Sequence, residues 1–223
     1  MNARGLTTEA EQNLTERSTV RKISEEGTIM AVTAVTGDIG SGKSTVSAML
    51  AKLLECEAVD ADKIAAEIWT HNDVKSSAVS RWGSGILDAH GNVIKSEIAK
   101  HVFADPEENR FVNSLIHPSV MNQLHQLAVS HNGSNIVIEI PLLPETGRPF
   151  WVDRAVYVTA KFESRAERCR RSRGWSFDEL RRRENLLLPQ SQRISICDFI
   201  IRNESSLSDL EGQAVKFLQE NFC

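Results

Sequence analysis

Several protein classes are excluded by what the sequence lacks. The four cysteines, Cys56, Cys169, Cys197 and Cys223, form no C-x-x-C pair, so there is no zinc-ribbon or disulfide framework pattern. No apolar run approaches the roughly 18 residues of a membrane span, and the polar N-terminal segment has no signal-peptide centre. The net charge of −4 lacks the basic excess of nucleic-acid or membrane binders. We therefore expect a soluble cytoplasmic protein that binds neither nucleic acid nor membrane; its oligomeric state stays open.

The first 29 residues have few large apolar side chains. Such a segment buries too little surface to offset the entropy lost on ordering, so we expect a flexible N-terminal extension. Met30 directly precedes the first strand-like run. The sequence leaves open whether Met30 is the natural start or the extension is genuine.

Short apolar and β-branched runs alternate with helical patterns along the rest of the chain. This alternation predicts an α/β fold with a five-stranded parallel sheet flanked by helices. The candidate strands are Ala31–Thr36, Glu57–Asp60, Asn135–Ile140, Ala155–Thr159 and Phe199–Ile201.

The turn after the first strand matches the phosphate-binding pattern G-x-x-x-x-G-K-[ST], for which a chance match is on the order of one per cent. Because it lies between a predicted strand and a predicted helix, it is better explained as a phosphate loop than as a helix start with spare glycines. Lys43 is expected to reach the β- and γ-phosphates of ATP, and Ser44 to bind Mg²⁺. The predicted nucleotide-binding residues are Gly37, Asp38, Ile39, Gly40, Ser41, Gly42, Lys43, Ser44 and Thr45.

From Met30 to about Leu210 the chain resembles the dephospho-coenzyme A kinase family. The phosphate loop alone occurs in many families, but the ordered set of shared segments is more specific. The shared segments are Thr36–Thr45, Val59–Asp62, Val112–Pro118, Ile140–Leu143 with Glu145, and Cys197–Asn203.

The resemblance implies a single P-loop kinase domain at about 30–210. It implies a helical acceptor-binding insertion at about 63–130 and a lid at about 165–192, and a C-terminal helix is expected over 206–223. The implied reaction transfers the γ-phosphoryl group of ATP, with Mg²⁺, to the ribose 3′-hydroxyl of dephospho-coenzyme A.

Two aspartates follow the second predicted strand, at the sheet edge where ligands bind in parallel sheets. The resemblance implies that Asp62 is the catalytic base and orients the acceptor hydroxyl, while Asp60 faces the substrate. On spacing alone, either residue could instead cap the helix predicted from about Lys63. Both roles can coexist.

Other predicted acceptor residues lie further along the chain. A helix is predicted to begin near Asp105 and to kink or break at Pro118, which would present His117 at the bend. A lone histidine is more often structural, but the resemblance implies that His117 and Pro118 bind coenzyme A. By the same resemblance, Lys95 occupies an acceptor-region position that is usually arginine. Leu143 and Glu145 match the family's acceptor loop.

Glu139 interrupts an apolar strand, and a buried carboxylate needs a cation or several donors. The residue is predicted to assist Mg²⁺ binding, with a structural ion pair equally open.

A strongly basic segment follows the fourth predicted strand. It suggests a lid that closes arginines over ATP, although a solvated helix face explains some of these residues. The resemblance implies that Arg168 is the first catalytic lid arginine. The family's second lid arginine falls on Ser172, so Arg171 or Arg173 must substitute, and a glutamine usual after the lid falls on Leu187. Asn203 is predicted to contact adenine, with a plain turn role equally open.

Two rival functions remain at this stage. The chain could be another small-molecule P-loop kinase, since the loop does not fix the acceptor. The departures at Lys95, Ser172 and Leu187 could instead indicate a catalytically impaired homologue that binds nucleotide as a binding module.

Overall fold

The computed structural model describes residues 31–131 and 134–222, so the predicted N-terminal extension lies outside the described residues. A single sheet of five strands has the order β2-β3-β1-β4-β5. The strands are β1 (Val32–Gly37), β2 (Glu57–Asp60), β3 (Ile136–Glu139), β4 (Arg154–Thr159) and β5 (Phe199–Arg202).

Strand β1 lies at the centre of the sheet, and its six residues are all buried. It pairs in parallel with β3 on one side and β4 on the other. From β1 the chain runs to β2 at one edge, returns through β3 and then crosses to β4 and β5 on the other side of β1, so the loop after β1 lies at a topological switch point, where ligands bind in open α/β sheets.

Helices connect these strands, and one short 3₁₀ helix spans Ser84–Ile86. The helices are α1 (Lys43–Leu53), α2 (Ala61–Ile68), α3 (Asn72–Trp82), α4 (Lys95–Ala104), α5 (Pro106–Ser130), α6 (Leu143–Thr146), α7 (Phe162–Arg173), α8 (Phe177–Glu184), α9 (Gln190–Ser195) and α10 (Leu207–Phe222).

The predicted fold class is confirmed, and each predicted strand occurs with its ends shifted by no more than a residue or so. Of the kink or break predicted at Pro118, the break is wrong, because α5 continues through it. A proline inside a helix costs about 3 kcal/mol. Buried residues on both sides of it, Val112, Val120 and Leu124, offset that cost, since each contributes about 1.5–3 kcal/mol when fully buried.

The chain divides into two compact units. The first, here called the sheet unit, comprises the described residues up to Val59 and from Leu127 onward, and the second, the helical unit, is Asp60–Gln126. The core of the sheet unit packs α1 and α10 on the sheet through side chains such as Leu50, Val156 and Phe217. The helical unit has a smaller core built on Ala78, Ile86, Ile98 and Val112.

Within residues 31–131 and 134–222, none of the helices combines the length and the apolar character needed to cross a membrane.

Candidate active site

The phosphate loop joins the end of β1 to the start of α1. At the helix N-terminus, Gly42 has a left-handed conformation, with φ 93°. No side chain caps this end, and no acidic residue lies in the first turn of α1. Backbone N–H groups at an uncapped helix start, together with the positive end of the helix dipole, form a binding site for an anion.

Neighbouring groups approach the loop backbone so closely that glycine is required, as Gly37 and Gly42 show. Gly37 has φ 144°, and a Cβ there would collide with the carbonyl oxygen of Val158. A Cβ at Gly42 would collide with the side-chain amide of Asn203. Both positions also have backbone angles that other residues adopt only with strain.

Lys43 extends back along the loop. Its ammonium group donates to the carbonyl oxygens of Asp38 at 3.1 Å and Gly37 at 3.4 Å. Ser44 and Thr45 follow it in the first turn of α1, and both are exposed. The lysine is therefore held over the loop, next to the uncapped helix start.

Arg168 and Asn203 both bind the backbone of the loop at Ser41. The Arg168 guanidinium donates to the carbonyl oxygens of Ser41 and Asn203, each at 3.0 Å. The Asn203 side chain donates to the Ser41 carbonyl oxygen at 2.8 Å. The structure thus brings together three predicted nucleotide-site residues, Arg168, Asn203 and Ser41.

Most of the other basic side chains in the predicted lid have partners within the lid. Arg170 and Arg171 pair with Glu167, whose pKa is lowered to about 2 by hydrogen bonds from these two arginines. Arg182 and Arg183 pair with Glu179. Arg171, predicted to replace a lid arginine, has a side chain 74% exposed and lies 2.6 Å from Glu167. These contacts agree with the solvated helix face that the sequence left open.

Asp38 makes contacts that the sequence analysis did not anticipate. Its side chain is 1% exposed and accepts hydrogen bonds from Tyr157 at 2.6 Å, Thr159 at 2.5 Å and Gln190 at 2.9 Å. The Arg193 guanidinium lies 3.0 Å from it. The carboxylate is thus surrounded by partners from within the protein. An acidic residue in a phosphate loop was the one signal that could have suggested such a network.

The pKa of Asp38 reflects this environment. Burial raises it, but hydrogen bonds from Thr159 and Tyr157 and the charges of Arg165 and Arg193 outweigh burial, so the pKa lies below its ordinary value of 3.8. The carboxylate is ionised at neutral pH.

The residues after β3 lie next to the loop strand. Glu139 is 8% exposed and lies opposite Val35 in the pairing of β3 with β1. Leu143 is fully buried. Both carboxylate oxygens of Glu145 are buried without a hydrogen-bond partner among the described residues.

In the helical unit, Asp60 caps α2 by accepting a hydrogen bond from the backbone N–H of Asp62 at 2.9 Å. The capping role that the sequence left open therefore belongs to Asp60. Asp62 lies in the first turn of α2 and is exposed. It lines a cavity of about 270 Å³ with Lys95 and the apolar side chains of Trp69 and Phe103.

His117 and Pro118 lie near the middle of α5. Pro118 is exposed and His117 is half-buried. Burial lowers the pKa of His117 below its ordinary value of 6.5, because desolvation disfavours the charged imidazolium. Neither residue is among those that line the cavity of Asp62 and Lys95.

The sequence model that describes dephospho-CoA kinase matches residues 31–209. The chain belongs to the dephospho-CoA kinase family. The match includes the phosphate loop, Asp62, Lys95, Arg168 and Asn203, and it ends within α10.

Proteins similar to this chain in sequence and in structure include dephospho-CoA kinases. The dephospho-CoA kinase of Methylococcus capsulatus is 33% identical over 185 residues, which cover 82% of this chain and 93% of the relative. A crystal structure from Thermus thermophilus is 29% identical, has a TM-score of 0.71, and is covered over 97% of its length. The dephospho-CoA kinase from Campylobacter jejuni, 21% identical with a TM-score of 0.58 and 96% of its chain covered, shares the fold.

The three positions at which the resemblance implies departures, Lys95, Ser172 and Leu187, fall at different places in the structure. Lys95 lines the cavity in the helical unit. The Ser172 hydroxyl donates to the carbonyl oxygen of Arg168 within α7, at 2.8 Å. Leu187 follows α8, and its backbone N–H donates to the carbonyl oxygen of Glu184. The first departure thus lies in the cavity, and the other two lie in the lid segment.

Proposed function

We propose that this protein transfers the γ-phosphoryl group of ATP to the ribose 3′-hydroxyl of dephospho-CoA, giving CoA and ADP. The observation that carries the proposal is the cavity of the helical unit, which Asp62 and Lys95 line together. These two residues were matched to the acceptor side of the family on sequence alone. A kinase for a small-molecule alcohol needs such a cavity in addition to a phosphate loop.

The donor side of the proposal depends on how the phosphate loop fits a polyphosphate. The buried hydroxyl oxygen of Ser41 has no hydrogen-bond partner among the described residues, and α1 has no side-chain cap. Both features fit an anion bound against the loop backbone. Lys43 would turn from the Asp38 carbonyl to the β- and γ-phosphates, and Arg168 would neutralise charge at the transferred group.

Mg²⁺ is proposed to accompany ATP. Across residues 31–131 and 134–222, no group of three or more His, Cys, Asp or Glu side chains could hold a metal ion. This fits Mg²⁺, which is usually held through substrate phosphates, waters and one or two protein oxygens. The exposed Ser44 hydroxyl and the Glu139 carboxylate would supply those oxygens. When bound, Mg²⁺ supplies charge neutralisation at the phosphates.

The acceptor side is proposed to use the cavity of the helical unit. Its lining area is mainly apolar, with Asp62 and Lys95 as charged groups. Dephospho-CoA combines apolar portions with anionic phosphates, so this mixture suits it. Asp62 would accept a hydrogen bond from the 3′-hydroxyl and orient it, and Lys95 would contact an anionic group. His117, as a neutral imidazole, and Pro118 are proposed to assist acceptor binding outside the residues that line this cavity.

Measurement of ADP release with purified protein, Mg·ATP and dephospho-CoA tests the proposal directly. We expect turnover with dephospho-CoA and formation of CoA in equal amounts to ADP. A panel of nucleosides, sugars and shikimate, used at the same concentrations, tests for another acceptor. No turnover with dephospho-CoA at saturating ATP would reject the proposal, and tight ATP binding without ADP release for any acceptor would favour a binding module.

A further inference from the structure

Asp38 is an unusual residue for its position. A carboxylate in a loop that binds phosphates would repel the ligand if it faced the binding side. Here the side chain is buried, and its charge is balanced within the protein by Arg193 at 3.0 Å. Arg193 is itself only 6% exposed. An ion pair this deeply buried is weak evidence for stability, because desolvation cancels most of the attraction. The Asp38–Arg193 pair is therefore better explained by a role other than stability.

The partners of Asp38 lie on two elements that are distant in sequence. Tyr157 and Thr159 lie on β4, which pairs with the loop strand β1. Gln190 and Arg193 both lie on α9, at the end of the predicted lid segment. Because the backbone carbonyl of Asp38 also accepts from Lys43, a single residue contacts α9 through its side chain and Lys43 through its backbone.

A second ion pair, in which the arginine is buried, connects the remaining lid helices to the loop. Arg165 on α7 pairs with Glu184 at the end of α8. The Arg165 guanidinium also donates to the carbonyl oxygen of Ile39, at 3.2 Å. One turn further along α7, Arg168 donates to the loop at Ser41. The loop therefore contacts α7 and α9 directly, and α8 through Arg165; these contacts are here called the loop network.

The loop network contains four charged side chains whose charges balance each other. Asp38 and Glu184 are anionic, and Arg165 and Arg193 are cationic. Arg165 lies 4.0 Å from Asp38 and is 7% exposed, so the two ion pairs are adjacent. Arg165 and Arg193 thus pair with carboxylates inside the protein, whereas Arg168 donates to the backbone of the phosphate loop.

We propose that Asp38 is a positioning residue for phosphoryl transfer: its buried carboxylate fixes α9 to the phosphate loop and thereby sets where Arg168 and Lys43 lie. The inference rests on the proposed function for its kinetic consequence, but the contacts themselves do not depend on the acceptor. Misplacement of a catalytic group by about 1 Å can lower the rate roughly 100-fold. A small shift of the loop network is therefore expected to lower the rate strongly.

The test compares Asp38→Asn with Asp198→Asn. Asp198 is a matched carboxylate that also bonds to β4, through the Ala155 backbone N–H at 2.7 Å, and pairs with an arginine, Arg148. It lies at the opposite end of β4 from Thr159. Asp38→Asn is expected to lower kcat about 10- to 100-fold with less than a threefold change in KM for dephospho-CoA. Asp198→Asn is expected to lower Tm with kcat unchanged.

The double variant Asp38→Asn/Arg193→Gln separates positioning from stability. Removing both charges relieves the uncompensated buried cation, so Tm is expected to recover relative to Asp38→Asn. The contact between loop and α9 is still lost, so kcat is expected to stay low. Recovery of kcat together with Tm would overturn the proposal, as would kcat within twofold of wild type for Asp38→Asn.

Amide hydrogen exchange supplies a readout that needs no acceptor. In Asp38→Asn, amides of Gln190–Ser195 are expected to exchange faster than in wild type, with no such change in Asp198→Asn. Unchanged exchange would overturn the inference. If wild type failed to phosphorylate dephospho-CoA, the proposed function would fail, while exchange would still decide the role of Asp38. If Asp38→Asn did not fold, Gln190→Ala, which removes an exposed donor, would be measured in the same way.

Discussion

The phosphate loop and the cavity of the helical unit use charge in opposite ways. Around the loop, the carboxylate of Asp38 and the guanidiniums of Arg165 and Arg193 are buried and paired within the protein. Around the cavity, Asp62 and Lys95 are exposed. Buried ion pairs fix the geometry of a site before a ligand binds, whereas exposed charged side chains stay hydrated until a ligand binds. Substitutions in the two regions should therefore differ in whether they change stability together with rate.

The largest effect is expected at the loop, from Lys43→Ala. Loss of the ammonium group removes charge stabilisation at the transferred phosphoryl, so kcat should fall by roughly 10² to 10³. Steady-state ADP release measures this. Lys52→Ala, in the last turn of the same helix and exposed, is the matched control and should retain wild-type kcat. Equal losses in both variants would contradict the role of Lys43.

Asp62→Asn tests the cavity side of the comparison. The amide keeps the size but loses the ability to accept the acceptor's proton, so kcat should fall about 100-fold. Because the side chain is exposed, Tm should not change. The control is Asp73→Asn, since Asp73 also lies in the first turn of a helix of the helical unit. A loss of Tm that matches the loss of kcat would remove the contrast between the two regions.

A smaller effect is expected from Lys95→Ala. Loss of one charged contact should raise KM for dephospho-CoA about tenfold and leave KM for ATP unchanged. Lys100→Ala on the same helix, where the lysine pairs with Glu97, should change neither value. An increase in KM for ATP alone would place Lys95 on the donor side and contradict the proposed cavity role.

The smallest effect concerns His117 and pH. Its pKa is lowered in the folded protein, so the unfolded chain takes up a proton first as pH falls through about 6.5. The free energy of unfolding should therefore decrease below that pH and level off below the folded pKa. Urea unfolding of wild type and His117→Gln across pH 5 to 8 measures this. An NMR titration midpoint at or above 6.5 for His117 would contradict it.

Much of the fold could be predicted because its signals are local. The run before Gly37 and the pattern Gly42-Lys43-Ser44 lie within one strand, one turn and one helix, and the structure has them in that arrangement. Pro118 was judged by local chemistry alone, and there the prediction of a break failed. The packing of Val120 and Leu124 after it is not visible in the local pattern.

Within the candidate site, the predicted nucleotide residues differ in what the sequence could say about them. Arg168 and Asn203 were matched by resemblance, and both lie against the loop. Arg171 was considered because the family's second lid arginine falls on the neighbouring Ser172, but its pairing with Glu167 is an i,i+4 contact on one helix face. Counting charges along the segment does not reveal which of them pair.

The sequence by itself determined the order of strands and helices, the phosphate loop and the family, because these depend on short patterns and on their succession along the chain. Only the tertiary structure decided which groups surround Asp38. Its donors Tyr157, Thr159 and Gln190 are 119, 121 and 152 residues away in sequence. Burial and pairing of a charge depend on which distant groups the fold brings together, and no local pattern records that.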